Sequence, residues 1–370
     1  MLQAADRTGL AVLAEQAAGE RRVALVPRDV EKLAARAAMF VEHGAGLEAG
    51  FPDEAYRDAG ATLLARGAVL EAADVALAIR PPADLEGLRQ GATLISLGAH
   101  DADLVAALRN RAVSHLALER LPRITRAQSM DVLSSQATIA GYAAVIEGAR
   151  MLDTLLPMLT TAAGIIRPAR MIALGAGVAG LQAIATARRL GAVAHGFDVR
   201  AAAREQVESF GAEFVFPEVD VPFADGAGGY AGSQSAEQQK ALRRALTPIL
   251  ADMQLVVSSA QIPGRPAPLL IDDETLAAMA RGTVIVDLAA ESGGNTSRTR
   301  ANETVAVGGV MILGSTNFAS LMPADASRLF SSNVRSLVDH LLGADGRLQL
   351  SLDDEITTAL LGAPAIVQAA

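Results

Sequence analysis

The chain has 370 residues, of which 51% are hydrophobic and only 3% aromatic, and its formal net charge is −9. This length favours two domains over one hydrophobic core. The charge argues against nucleic acid or an anionic membrane surface as a partner, and the lack of cysteine excludes disulfides, thiolate catalysis and cysteine-bound metals. With no signal-peptide pattern at the start, we expect a soluble, intracellular protein without direct membrane insertion.

The N-terminal third alternates short apolar runs with helical patterns. The strand-like runs are Arg22–Val26, Val75–Ile79 and Thr93–Leu97, and the helical patterns cover Val30–His43 and Asp101–Asn110. Strands that alternate with helices indicate a parallel sheet covered by helices.

A long helical pattern from Ser134 to Leu159 follows and is predicted to link two domains. The second domain then repeats the alternation, with strand-like runs at Met171–Leu174, Ala192–Phe197, Leu255–Ser259, Val284–Leu288 and Val310–Leu313. The last helical pattern, Arg328–Leu342, is predicted to return to the first domain.

A glycine-rich turn, Gly175-Ala176-Gly177-Val178-Ala179-Gly180, directly follows the run Met171–Leu174 and opens a helical pattern. In this context GxGxxG is the fingerprint of a dinucleotide-binding βαβ unit, in which the helix N-terminus faces the pyrophosphate. Asp198, at the end of the next apolar run, is placed to accept hydrogen bonds from the adenosine ribose and to repel a 2′-phosphate. These residues predict an NAD(H) site.

The segment 123–136 contains a second concentration of polar residues, among them Arg123, Gln128, Asp131 and Ser134. One interpretation is a capped helix start, with Asp131 or Ser134 as the cap. The other is a functional loop, and composition alone leaves both open.

The stretch 215–235 is rich in glycine and proline, and a long loop of this kind is usually functional or mobile. It contains Gly229 and Tyr230. Tyr230 suits either a lid that closes over a planar ligand or an anchor for the loop. Gln261 follows another predicted strand at a crevice position of an open sheet.

Candidates for acid–base or metal chemistry are few. None of the five histidines has a metal-ligand spacing to another histidine or a carboxylate, so no metal site is predicted. His100, which follows a strand end, is the one histidine retained as a possible acid or base.

In this order the segments resemble one family, the soluble NAD(H)-binding component (domain I) of proton-translocating nicotinamide nucleotide transhydrogenases, which is related in fold to alanine dehydrogenase. The resemblance covers nearly the whole chain. It rests on several motifs: Glu20–Pro27, Arg126–Asp131, Leu174–Ala183, Gly196–Arg200, Gly228–Ala231, Ile262–Pro268 and Ile285–Glu291.

The resemblance implies a site and a reaction. Gly175, Ala176, Gly177, Val178, Gly180, Asp198, Val199 and Arg200 would hold the adenosine half of NAD(H), with Gln261 at the same crevice. Arg123, Gln128, Asp131 and Ser134 would reach the nicotinamide end, and Gly229 and Tyr230 would belong to the loop that closes over it. Hydride would pass directly between NADH and NADP⁺ held by a partner subunit, as in Re/Si-specific, proton-translocating transhydrogenase.

The implied architecture is α/β, with two doubly wound, parallel-sheet (Rossmann-like) domains and a cleft between them. We expect an alanine-dehydrogenase-like domain formed by residues 1–133 and 320–370, and an NAD(H)-binding domain formed by residues 134–319. The expected partners are a second copy of the chain and the membrane and NADP-binding transhydrogenase subunits. The chain would then be cytoplasmic and peripheral to the inner membrane.

Two alternatives stay open. An amino-acid dehydrogenase of the alanine type would bind a substrate carboxylate with Arg22, but the lysine expected of such enzymes is Arg80 here, and His100 is displaced by two positions from the expected histidine. A non-catalytic NAD(H)-binding module is the second alternative.

Overall fold

The computed structural model describes residues 7–217, 219, 235–262 and 265–362. Among these residues the chain divides into two compact units. Unit 1 falls within Met1–Gln136 and Ala319–Ala370, and unit 2 within Ala137–Phe318.

Unit 1 is built on a six-stranded sheet in which all neighbouring strands are parallel, with the order β3-β2-β1-β4-β5-β6. Its strands are β1 (Gly9–Val12), β2 (Ala38–Glu42), β3 (Thr62–Leu64), β4 (Val75–Leu77), β5 (Thr93–Ser96) and β6 (Ser114–Ala117). Its first helices are α1 (Pro27–Ala34), α2 (Asp53–Asp58), α3 (Arg66–Ala72) and α4 (Ala102–Asn110). Helix α5 (Val132–Met151) begins in unit 1 and continues into unit 2.

Unit 2 begins with a small antiparallel hairpin, β7 (Leu159–Thr161) and β8 (Gly164–Ile166). Its main sheet has the order β11-β10-β9-β12-β13-β15-β14, parallel except for the edge strand β14. These strands are β9 (Arg170–Leu174), β10 (Val193–Phe197), β11 (Glu213–Phe214), β12 (Leu255–Ser258), β13 (Val284–Asp287), β14 (Thr304–Val307) and β15 (Val310–Leu313). The accompanying helices are α6 (Val178–Arg189), α7 (Ala203–Ser209), α8 (Ala236–Ala251) and α9 (Asp273–Ala278).

The last two helices, α10 (Pro323–Leu341) and α11 (Glu355–Leu361), belong to unit 1. Buried α10 residues such as Phe330 and Val334 join the same apolar core as the strands of unit 1. Both sheets therefore follow the doubly wound 3-2-1-4-5-6 order, unit 2 with one added antiparallel edge strand. The predicted α/β class with Rossmann-like sheets is confirmed.

Three predicted elements are wrong. Arg22–Val26 is buried but forms no strand, because its backbone donors are bonded elsewhere: Val23 N–H and Val26 N–H donate to the hydroxyls of Ser327 and Ser331 on α10, each at 3.0 Å. The helical pattern Val30–His43 ends at Ala34, and its second half is strand β2.

The third wrong element is the linking helix. It ends at Met151 rather than Leu159, and the hairpin β7–β8 follows it. Within the part of the chain that the structure describes, no helix has both the length and the apolar character that crossing a bilayer requires.

Candidate functional site

The glycine turn of unit 2 lies at the point where the strand order reverses, between the carboxyl ends of β9 and β12. Gly175 has a φ of +96°, a conformation that favours glycine. Its N–H donates to the carbonyl of Phe197 on β10 at 2.8 Å, and its carbonyl accepts from the hydroxyl of Ser259 after β12 at 3.1 Å. The turn is thus bonded to both neighbouring strand ends, where open α/β sheets bind ligands.

The other two glycines of the fingerprint have different tasks. A Cβ on Gly180 would lie 1.8 Å from the carbonyl oxygen of Gly175, so only glycine lets helix α6 approach the turn so closely. A Cβ on Gly177 would meet nothing within 4 Å. Gly177 therefore keeps space open beside the turn and is not required for packing within the described residues.

Helix α6 begins beside this open space. Its N-cap is Gly177, which offers no side-chain cap, and Val178 is its first residue. The first N–H groups of a helix lack intrahelical acceptors and carry partial positive charge. The arrangement is a cradle for a phosphate group, and it fits the pyrophosphate of a dinucleotide.

Asp198 directly follows β10, and its side chain is buried. One carboxylate oxygen accepts the N–H of Ala176 at 2.8 Å and Nη2 of Arg200 at 2.6 Å. The other accepts the N–H and Nε of Arg200 at 2.9 and 2.8 Å. Since a carboxylate offers about four acceptor positions, a ribose hydroxyl could bond to Asp198 only if one of these donors moved. Val199, between them, is half-buried against the apolar core of unit 2.

This geometry changes the electrostatic argument about the 2′-phosphate. The charge of Asp198 is balanced by the guanidinium of Arg200, with which it forms an ion pair at 2.6 Å. Repulsion of a 2′-phosphate by Asp198 is therefore weaker than the sequence alone suggests. Apart from the closeness of the two residues along the chain, no sequence signal indicates this pairing.

Two further loops border the same crevice. Gln261 donates from Nε2 to the carbonyl of Leu288 at 2.9 Å, which connects the loop after β12 to the loop after β13. Near it, the fully buried Asn295 accepts from the Ser258 hydroxyl at 2.6 Å and donates to the carbonyls of Ala260 and Pro268. Sequence reasoning did not single out Asn295, because a lone asparagine after two glycines reads as an ordinary loop residue.

Asp287 supports these loops from the end of β13. Its buried carboxylate accepts from the N–H groups of Ala289 and Asn295 and from the hydroxyl of Thr299, at 2.9, 2.6 and 2.6 Å. Burial raises the pKa of Asp287 above the ordinary carboxyl value, and these three donors act against that rise. All three of these contacts serve the loop, so we assign Asp287 a structural role.

In unit 1, the polar segment forms a 3-10 helix over Thr125–Met130, with Arg123 and Gln128 exposed. Asp131 caps α5: its carboxylate accepts the Ser134 N–H at 3.0 Å and the Ser134 hydroxyl at 2.6 Å. The capped helix start is therefore present. Asp131 and Ser134 lie together, while a functional role of the segment stays a prediction.

The crevice of unit 1 differs from that of unit 2. At its switch point, between β1 and β4, Glu15 accepts the backbone N–H groups of Ile79 and Arg80 at 2.6 and 3.0 Å. Burial raises the pKa of Glu15 to about 7, and the nearby Glu20 adds to this, while the two N–H bonds and Arg22 oppose it. Backbone donors at this crevice are already bonded to a carboxylate of the same chain, so unit 2 holds the candidate nucleotide site.

Arg22 is almost fully buried and its guanidinium is engaged on three sides. It contacts Glu20 through Nε at 2.7 Å and Nη2 at 2.6 Å, and Nη1 donates to Gln136 at 2.7 Å. An arginine bound in this way has little capacity left for a substrate carboxylate.

Gly229 and Tyr230 lie outside the described residues. Among the residues that are described, no group of three or more histidine and carboxylate side chains could hold a metal ion.

Comparison with known proteins decides the family. The model of the alanine dehydrogenase/PNT C-terminal domain matches residues 144–364, and that of the N-terminal domain matches residues 11–140. The chain belongs to the alanine dehydrogenase/PNT family.

Within this family, transhydrogenases are the more similar relatives among those compared. An NAD(P) transhydrogenase subunit alpha polypeptide of Rhodospirillum rubrum is 42% identical over 359 residues, which cover 94% of each chain. The subunit alpha of Cereibacter sphaeroides is 44% identical over 91% of this chain, which spans only 66% of that longer relative. The alanine dehydrogenase of Bacillus subtilis is 27% identical over 74% of this chain.

Solved structures agree. A crystal structure of transhydrogenase from Sinorhizobium meliloti superposes with a TM-score of 0.85 at 40% identity, covering 95% of this chain and 97% of that one. An L-alanine dehydrogenase structure superposes with a TM-score of 0.76 at 24% identity, which shows a shared fold. This member of the alanine dehydrogenase/PNT family is thus related to the transhydrogenase alpha subunits.

Proposed function

We propose that this chain is the NAD(H)-binding component of a proton-translocating transhydrogenase and passes hydride between NADH and NADP⁺ held by a partner subunit. The observation that carries the proposal is the crevice of unit 2, where the open space beside Gly177 meets the uncapped N-terminus of α6. The similarity to transhydrogenase alpha subunits supports it.

The choice of NAD(H) over NADP(H) rests on Asp198 and Arg200 together. Asp198 bonds to the turn through Ala176, and Arg200 closes over the same carboxylate. The adenosine ribose would be held if Arg200 turned aside and released acceptor positions on Asp198. Gln261, Val178 and Val199 would line the same half of the site.

The nicotinamide half is assigned to Arg123, Gln128, Asp131 and Ser134 by resemblance. The nicotinamide itself would supply the hydride, so the task of these residues is to orient the ring at near-attack distance rather than to move a proton. The scarcity of candidate acids and bases in the sequence is consistent with this task.

We also propose that the chain is a homodimer that associates with the membrane and NADP-binding subunits, and that it is cytoplasmic and peripheral to the inner membrane through them. The hairpin β7–β8 supports the dimer. All six of its strand residues are exposed, Ile165 by 68%, and the preceding Met158 is exposed by 64%. A two-stranded hairpin is marginally stable alone in water, so this one needs a cover.

Beside the hairpin, a cavity of about 620 Å³ is lined by Ile166 of β8 together with Asp153, Arg167, Asp252 and Arg281. Side chains of both charges on one surface suit a two-fold interface, in which each patch meets its own copy.

The alternative of an alanine-type dehydrogenase is disfavoured by Arg22. In such an enzyme this arginine would bind the substrate carboxylate, but here its guanidinium is bonded to Glu20 and Gln136. The alternative of a non-catalytic module predicts nucleotide binding without transfer.

The three hypotheses are tested with the purified chain. We expect it to bind NADH more tightly than NADPH, to produce NADPH from NADH and NADP⁺ only when an NADP-binding transhydrogenase component is added, and not to reduce NAD⁺ with alanine. Alanine-dependent reduction would establish the dehydrogenase, and binding without transfer to a competent partner would establish the module.

A further inference from the structure

The polar 3-10 helix of unit 1 offers a further inference, which rests on the proposed function. A 3-10 helix has three residues per turn, so residues three apart share a face. Thr125–Met130 therefore presents three faces, and the structure gives each a different environment.

The first face is buried in the core of unit 1. Ala127 and Met130 belong to the main apolar cluster, which includes α10 residues such as Phe330. This face fixes the position of the segment but leaves its rotation and its ends to other contacts.

The second face carries Arg126 and Ser129, and both are bonded to the C-terminal part of unit 1. Nη2 of Arg126 lies 3.0 Å from a carboxylate oxygen of Asp354, and the Ser129 carbonyl accepts from Nδ2 of Asn333 on α10 at 2.8 Å. Asp354 is itself fixed, because its other oxygen caps α11 at Thr357 and contacts Nε2 of His340.

The third face carries Gln128, and Asp131 follows in the same register one turn later. These are two of the residues proposed to orient the nicotinamide. With the first face buried and the second bonded, the exposed Gln128 is presented from a segment that is held on two sides.

We propose that Asn333 and Asp354 are positioning residues for hydride transfer. They hold the Thr125–Met130 helix from the side opposite to the substrate and so fix the direction of Gln128 and Asp131. A displacement of about 1 Å in such a segment can cost up to about 100-fold in rate. Neither residue would contact the nucleotide.

The test uses two variants of the full chain. Asn333→Leu removes the donor to Ser129 while keeping a similar shape. Asp354→Asn keeps a good helix cap for α11 but removes the charge that faces Arg126 and His340. The matched controls are Asn110→Leu, at the exposed end of α4, and Asp325→Asn, which breaks an exposed ion pair with Arg328 on α10.

The first readout is hydrogen exchange of the backbone amides of residues 124–131, which needs no activity. We expect exchange about tenfold faster in both variants and unchanged in the controls. The second readout separates rate from affinity. Single-turnover hydride transfer should slow by about tenfold while the Kd for NADH stays within about twofold, because adenosine contacts are intact.

Wild-type exchange and transfer in both variants would overturn the inference, as would a loss of transfer matched by an equal loss of NADH affinity and of thermal stability. If the wild-type chain transfers no hydride, the proposed function fails. The exchange measurement then still decides whether Asn333 and Asp354 hold the segment.

Discussion

Asp198 shows how one carboxylate can belong both to the fold and to the candidate site. Its place after an apolar run predicts a ribose acceptor. The structure adds that Ala176 and Arg200 already occupy its oxygens, which no spacing rule could reveal. We therefore expect it to shape the turn as well as to accept a ribose.

Replacing this carboxylate should separate the two nucleotides. In Asp198→Ala we expect the Kd for NADH to rise about tenfold or more, since bonds to a charged group are lost. Affinity for NADPH should fall less, because Arg200 without its partner can face a 2′-phosphate. Calorimetric titration with both nucleotides checks this, with Glu205→Ala on the exposed face of α7 as the control. Equal losses for both would mean that Asp198 only shapes the turn.

Glu15 gives unit 1 a distinctive pH dependence. Its pKa is about 7 in the fold against an ordinary value of 4.5. A raised pKa means that the folded state binds the proton more tightly, so the stabilisation is fully present below pH 4.5 and is lost as pH rises through 7.

We therefore expect the free energy of unfolding of the wild type to fall between about pH 5 and pH 8 relative to that of Glu15→Gln, which cannot ionise. Chemical denaturation of both proteins across this range measures the difference, and titration of other groups cancels in it. A difference that does not change with pH would contradict the assignment.

At the scale of the element, the contact between the glycine turn and α6 gives two opposite substitutions. Gly177→Ala places a methyl group in open space at an ordinary backbone conformation, so the melting temperature should hold or rise slightly. NADH binding should weaken by about tenfold or more, because the methyl group enters the space for the pyrophosphate.

Gly180→Ala should behave in the reverse order. Its methyl group would lie 1.8 Å from the Gly175 carbonyl oxygen, so we expect a loss of melting temperature of about 5 °C or more together with the loss of binding. Thermal unfolding and NADH titration of both variants provide the check. Unimpaired binding by a folded Gly177→Ala protein would show that the cradle is not the phosphate site.

Local patterns predict some elements and miss others for identifiable reasons. The central strands of both sheets are continuous apolar runs, which is why β9, β12 and β13 are recognisable from sequence. Arg22–Val26 has the same appearance, but two of its N–H groups bond to serines that follow about 300 residues later, at Ser327 and Ser331, and no local pattern contains that information.

The same limit applies to the candidate site. The glycine fingerprint is local and can be found from sequence. The roles of Asn295, Asn333 and Asp354 depend on contacts between distant segments, and each residue by itself reads as ordinary loop or helix polarity.

At the scale of the whole molecule, the exposed hairpin and the proposed dimer make one prediction. Ile165→Glu should convert a dimer to a monomer, because it places a charge on the apolar surface that a second copy would cover. Analytical ultracentrifugation measures the mass, and Leu352→Glu, at a position 56% exposed in unit 1, is the control. A variant that keeps the dimeric mass would exclude the hairpin as the interface, and a monomeric wild type would exclude the dimer.

The measurement that tests the central claim most directly is single-turnover transfer of deuterium from C4-labelled NADH. The purified chain is mixed with a soluble NADP-binding domain of a transhydrogenase that carries NADP⁺. We predict rapid formation of NADPH that requires both proteins and contains the label. No transfer, or transfer without the label, by a chain that binds NADH beside a partner that works with an established transhydrogenase component would contradict the account.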